Sequence, residues 1–175
     1  MTLPNAARHG TVFGLAGFSG SGKTTLAEKL IRELTERGFS LASIKHAHHA
    51  FDPDTPGKDS WRHRKAGASQ MLISSSLRRV HFTETPDGRE ADLNTLLGEL
   101  MPADMVLVEG FKDIDFPKIE IWRAATGNPF LYPERPGIFA VAADTPLPDC
   151  PLPVLDLNDE AAIADAIIRR FYPNG

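Results

Sequence analysis

Gly17-Phe18-Ser19-Gly20-Ser21-Gly22-Lys23-Thr24 is the stretch that decides the fold. It satisfies G-x-x-x-x-G-K-[ST] at every fixed position, and the chemistry of an anion site requires those residue types. Gly17, Gly20 and Gly22 let backbone N–H groups converge on a phosphate without a Cβ in the way, with Ser19 and Ser21 between them. Lys23 reaches β- and γ-phosphates, the Thr24 hydroxyl suits Mg²⁺, and Thr25 adds an α-phosphate contact. Without a ligand, the same pattern would be a glycine-rich strand-to-helix turn.

The flanks supply the context such a loop needs. Upstream, Thr11 to Gly17 reads as a buried strand through Val12, Phe13 and Leu15. Downstream, Leu26, Leu30, Ile31 and Leu34 fall on one face of a helix from Thr24 to Arg37, with Gly38 as its C-cap glycine. Ser40 to Lys45 is a second strand. Together they make a βαβ unit, whose crossover is right-handed by rule. The helix also turns its positive end toward the bound anion.

Further along, Asp104 to Glu109 is a compact apolar strand, Met105-Val106-Leu107-Val108, ending in a carboxylate. That is the pattern of a Walker B strand in a parallel sheet. Glu109 belongs at the carboxyl edge beside the phosphate loop, where it holds a Mg²⁺ water or orients an attacking water. As the end of a core strand it would otherwise be a solvated residue. Lys23 and Glu109 are thus the candidate catalytic groups, and Thr24, Glu109 and Asp52 the candidate metal contacts.

The rest of the chain reads as follows. His46 to Gly57 is a loop, Lys58 to Ala68 a short helix, and Gln70 to Ser75 and Arg78 to Glu84 two strands, the second suited to an edge. Glu90 to Met101 is a helix stopped by Pro102, and Lys118 to Arg123 and Gly137 to Ala142 are further strands. Asn158 to Phe171 closes the chain as a helix capped by Asn158 or Asp159. Half of the 14 prolines lie from Pro129 to Pro153, a stiff loop region. Residues 1–10 are polar and read as flexible. The expected fold is α/β, a mostly parallel sheet flanked by helices with a few antiparallel strands, in one domain over residues 1–175.

His46, His48 and His49 with Asp52 and Asp54 suggest a metal cluster, yet their spacing matches no zinc signature and no cysteine lies nearby. Solvated or structural histidines are the better reading there. The segment follows the second strand, at the same sheet edge as the phosphate loop. Asp52, Lys58 and Asp59 are therefore candidates to read the nucleotide's Mg²⁺ or a second anion. Lys45 joins Lys23 among the cations placed for phosphate. Arg62, Arg64, Lys65, Arg78 and Arg79 are either a solvated face or a receiver of a phosphorylated partner.

Composition narrows the classes. The 175 residues carry 19 Lys+Arg against 23 Asp+Glu, a net charge of -4, which argues against sequence-independent nucleic-acid binding. No apolar run approaches the ~20 residues of a membrane span, and Met1 to Gly10 is no signal peptide. The single Cys150 excludes an intrachain disulfide and fits a reducing compartment, so a cytoplasmic protein is expected.

Several stretches together resemble the MobB family of molybdopterin-guanine dinucleotide biosynthesis adapter proteins. They are Gly17 to Thr25, Ile44-Lys-His-Ala-His-His49, Asp52, Pro56-Gly-Lys-Asp-Ser60 and Arg64-Lys-Ala-Gly-Ala68. Thr83-Glu-Thr-Pro86, Val108-Glu-Gly-Phe-Lys112 and Ala140-Val-Ala-Ala-Asp144 add to the likeness. The resemblance implies a P-loop NTPase-type fold, GTP and Mg²⁺ as ligands, weak GTP hydrolysis and a homodimer. It also implies a partner, the nucleotidyltransferase that joins GMP to molybdopterin. It assigns phosphate binding to Gly20 to Thr25, a Walker B role to Glu109 and base reading to Asp144. The usual Asn/Thr-Lys-x-Asp guanine motif is absent, because Val141-Ala142-Ala143 precede Asp144. A P-loop small-molecule kinase is the alternative from another class. It needs the same loop and acid, plus a base at its acceptor and an Arg-bearing lid.

Overall fold

The structure is a computed structural model that describes residues 3–47, 51–85 and 87–173. Among the described residues, eight strands and four α-helices form: β1 (Thr11–Ala16), α1 (Lys23–Glu36), β2 (Leu41–Lys45), α2 (Asp59–Lys65), β3 (Gln70–Ser74), β4 (Arg79–Thr83), α3 (Leu93–Glu99), β5 (Met105–Glu109), β6 (Lys118–Trp122), β7 (Ile138–Ala143), β8 (Val154–Asp156) and α4 (Glu160–Phe171). The chain divides into two compact units: residues 47–92 form one, and the remainder forms the other.

The larger unit is a six-stranded sheet in the order β2-β5-β1-β6-β7-β8, parallel at every pairing. Strands covered on both faces need continuous apolar runs, and β1 and β5 supply them. Phe13, Leu15, Met105 and Leu107 pack with Leu26, Leu30 and Leu34 of α1 and Ile163 and Ile167 of α4 on one face. Val12, Val106 and Val108 pack with Leu93 and Leu97 of α3 on the other. Asp159 caps α4 by accepting from the Ala162 N–H at 2.9 Å. The short strand β8 has no counterpart in the sequence reading, since three residues among prolines carry too little pattern to be seen. Helix α3 is shorter than the expected 90–101 span.

Ahead of β1, Pro4–Arg8 form a 3-10 turn, Asn5 donates from its backbone N–H to Asn94 Oδ1 and from its side-chain amide to the Asn94 carbonyl, and His9 is buried against the Leu97 carbonyl. Two buried charges on β6 organise the loops of the proline-rich half. Glu120 accepts from the Leu131 and Tyr132 N–H groups at 2.7 and 2.9 Å, and Lys118 donates to the Ile114 and Phe116 carbonyls. Burial lowers the Lys118 pKa to about 8 and pushes that of Glu120 upward.

The smaller unit holds α2 and a two-stranded antiparallel sheet, β3 with β4, which supplies the antiparallel strands expected beside the mostly parallel sheet. Arg64 is its organising residue. Its guanidinium meets Asp52 and Asp54 at 2.9 Å and Glu84 at 2.6 Å, and lies over the Phe82 ring.

Candidate functional site

All six parallel strands point their carboxyl ends to one edge, and the candidate residues of the larger unit collect there in strand order. From β1 the chain enters the loop at Gly17, where a Cβ would come within 2.7 Å of the Ile121 carbonyl oxygen. The loop closes at Gly22, which caps α1 in the left-handed conformation at φ +97°, so a side chain there would be strained. Lys23 folds back over the loop and donates to the Gly17 and Phe18 carbonyls at 2.9 and 2.8 Å. Burial pulls its pKa below the ordinary lysine value, with Glu109 opposing. The Ser21 hydroxyl is buried without a hydrogen-bond partner. Ser19 and Gly20 face outward, and Thr25 follows Thr24 in the first turn of α1.

Parallel register brings two more groups to the loop, Glu109 and Lys45. Leu15 of β1 and Lys45 of β2 both pair with Glu109 at the end of β5. The Thr24 hydroxyl donates to Glu109 Oε1 at 3.0 Å, and Lys45 Nζ donates to Thr24 Oγ1 at 3.2 Å while lying 3.4 Å from Glu109 Oε1. Glu109 is 13% exposed and Lys45 59%, so the carboxylate is fixed and the ammonium can leave. Two hard oxygens already drawing a cation between them are the donor chemistry that Mg²⁺ selects. Thr24 and Glu109 therefore fit the metal. Past Glu109, Phe111 holds φ +51° and stacks on His46 with ring centroids 4.6 Å apart. Such a conformation costs about 1–3 kcal/mol and is tolerated where surrounding contacts enforce it.

Beyond β1 in the sheet come β6 and β7, and each contributes a group to the same edge. Arg123 follows β6 and donates from Nε to the Ser21 carbonyl at 3.0 Å. Asp144 follows β7, accepts from the Ala124 N–H at 3.0 Å and lies 3.6 Å from Arg123 Nη1. Beside Asp144, a cavity of about 260 Å³ opens between the ends of β7 and β8, lined by Thr145, Pro146, Leu155 and Asn158 among others. Arg123 escaped the sequence reading. Its only signal is that it ends a strand, and which strand neighbours the phosphate loop is decided by topology.

The smaller unit carries the remaining candidates. Asp59 opens α2. Asp52 accepts from both terminal nitrogens of Arg64, which holds its carboxyl below the usual range. Arg64 itself, read as a solvated or partner-facing cation, is instead 10% exposed and committed to three carboxylates. His48 and His49 lie outside the described residues. Among the described residues, no group of three His, Cys, Asp or Glu side chains could hold a metal ion, and no helix is long and apolar enough to cross a membrane.

Comparison with known proteins gives a consistent result. The family MobB, Molybdopterin guanine dinucleotide synthesis protein B, matches residues 12–144. The molybdopterin-guanine dinucleotide biosynthesis adapter protein of Escherichia coli (strain K12) is 42% identical over 162 residues, covering 90% of this chain and 91% of that relative. Its counterpart in Haemophilus influenzae is 42% identical over 157 residues, covering 89% and 86%. Among solved structures, a molybdopterin-guanine biosynthesis protein B superposes with a TM-score of 0.71 at 23% identity, covering 91% of this chain and 99% of that one. A MobB homolog from Bacillus stearothermophilus does so at 0.68 and 22%, covering 93% and 99%. At that identity the structural likeness speaks for the fold alone.

Proposed function

This chain belongs to the MobB family, and from that premise we propose that it is a GTP-binding adapter in molybdopterin guanine dinucleotide biosynthesis. The observation that carries the nucleotide part is the Thr24–Glu109–Lys45 cluster beside the phosphate loop, two oxygens drawing a cation where a nucleotide's metal is needed. In this reading Gly17, Ser19, Gly20, Ser21, Gly22, Lys23, Thr24, Thr25 and Lys45 bind the phosphates. Thr24 and Glu109 hold Mg²⁺, which when bound neutralises the phosphate oxygens. With Glu109 holding the metal, Lys45 would be free to contact the nucleotide's phosphates instead.

Asp144 reads the base. A carboxylate accepts from guanine N1–H and N2–H₂ together, which adenine cannot match. Asp52, Lys58 and Asp59 are carried in this proposal as the smaller unit's own candidates, the carboxylates for a cation and Lys58 for an anion. An Asp59→Ala variant with unchanged GTP and Mg²⁺ affinity removes Asp59 from it. The partner is the nucleotidyltransferase that joins GMP to molybdopterin, and the adapter acts as a cytoplasmic homodimer.

Hydrolysis is slow in this view, because Lys23 and Glu109 alone place no arginine finger or water-orienting glutamine, a group worth about 10³–10⁵ in rate. Titration of GTP and ATP into the protein with Mg²⁺ tests the reading. A GTP preference that Asp144→Ala abolishes is expected, whereas an ATP preference, or equal losses for both nucleotides, rejects it. Fast GTP turnover by the isolated protein at low concentration rejects the slow-hydrolysis part.

A further inference from the structure

Arg123 stands one residue past β6, the strand that separates the phosphate loop from Asp144 in the sheet order. Its guanidinium reaches in both directions. Nε donates to the Ser21 carbonyl at 3.0 Å, and Nη1 lies 3.6 Å from Asp144 Oδ2. Between these contacts the group lies against the loop itself, since a Cβ on Gly22 would come 3.3 Å from Nη2 and 3.4 Å from Nε. The second Asp144 oxygen accepts from the backbone N–H of Ala124, the next residue. Arg123 and Ala124 therefore clasp the Asp144 carboxylate from one side while Arg123 holds the loop from the other. Both side chains are largely shielded, Arg123 at 35% and Asp144 at 21% exposure, so their attraction is less screened than on an open surface.

We propose that Arg123 is a positioning residue that couples the phosphate loop to base selection by orienting Asp144. The proposal rests on the reading of Gly17 to Thr24 as the phosphate site and Asp144 as the base contact. A carboxylate accepts two guanine hydrogens at once only if its plane is aligned with the base edge. Fixing that plane before binding removes an ordering cost from recognition. Oδ1 keeps a second lone pair for the base after accepting from the Ala124 N–H, and Oδ2, beside Arg123 Nη1 at ion-pair distance, keeps its lone pairs as well. A guanidinium suits the task because its planar fork serves a carbonyl through Nε and a carboxylate through Nη at the same time. A lysine ammonium, a single point on a flexible stem, serves one or the other. Two strand spacings, ~10 Å, separate β1 from β7, so the link spans the distance from loop to base contact in one side chain.

The test compares Mg²⁺-dependent GTP and ATP affinities of the wild type, Arg123→Gln, Arg123→Lys, Asp144→Asn and the double variant Arg123→Gln/Asp144→Asn, each checked by thermal melting. Arg123→Gln is expected to weaken GTP about tenfold or more, the scale of a lost charge-assisted hydrogen bond, and to bring the GTP-to-ATP ratio close to that of Asp144→Asn. The double variant should lose no further discrimination. Arg123→Lys should restore overall affinity while leaving the ratio low, and it decides the matter alone if Arg123→Gln fails to fold. Equal losses for both nucleotides with the ratio intact, or no loss at all, overturn the coupling while leaving the guanine reading in place. A wild type with no GTP preference, or an Asp144→Asn variant that keeps it, overturns the guanine reading and the coupling with it.

Discussion

In the larger unit β1 and β5 are buried along all but one terminal residue each, whereas in the smaller unit β3 and β4 leave most of their side chains to solvent, with Leu72 at 61% and Ile73 at 45% exposure. The first pair sits in the middle of a six-stranded sheet with helices on both faces. The second is a two-stranded hairpin, too small a sheet to be stable by itself in water, with α2 packed beside β3. Its order comes from a different source, the buried Arg64 guanidinium shared by Asp52, Asp54 and Glu84 and laid over Phe82. One unit is held by apolar area, the other by a directional charge network. Losing a methylene is therefore costly in the first, and losing a single cation in the second.

The largest effect should follow Leu34→Ala in the larger unit. Leu34 is wholly buried between α1 and the sheet, and such a truncation costs about 2–5 kcal/mol in chemical denaturation. A loss under 1 kcal/mol would show that this unit is not held by its core.

Lys118 gives a pH-dependent test on the same unit. A lysine held by burial at about 8, below its ordinary 10.5, binds fewer protons folded than unfolded between those values. Stability should therefore rise with pH through that window, by on the order of 3 kcal/mol, relative to a Lys118→Met variant lacking the titration. Parallel pH curves for the two proteins would refute the shift.

Arg64→Met should act on the smaller unit alone. Hydrogen exchange at β3 and β4 amides should accelerate while β1 and β5 amides keep their protection. Slowed or unchanged exchange in the hairpin would assign its order to something other than the network. The smallest effect is expected for Ile73→Ser, a half-exposed hairpin side chain, within about 0.5 kcal/mol. A larger cost would mean that the hairpin is stabilised by apolar contact after all.

How legible each region was follows the same divide. The βαβ unit at the start of the chain could be read because a loop motif, an apolar strand and a 3.6-residue stripe agree over residues 11–45. Strand β5 could be read because four consecutive apolar residues end in one carboxylate. The hairpin strands were visible as strands, but their separation into their own sheet was not, since alternation reports one exposed face and not the neighbour. β8 stayed hidden because three residues hold no period.

Local chemistry in the chain determined the glycine-rich turn from β1 into α1, the apolar strand that ends at Glu109 and the parallel α/β class, because backbone conformation and strand burial are dictated by residues close in sequence. Only the tertiary structure decided that β5 and β6 flank β1, and with that which side chains reach the loop. Strand order depends on how apolar faces pack across the whole sheet, which no local pattern encodes. That is why Lys45 could be nominated by charge and position, while Arg123 emerged only when β6 was seen to lie between the phosphate loop and Asp144.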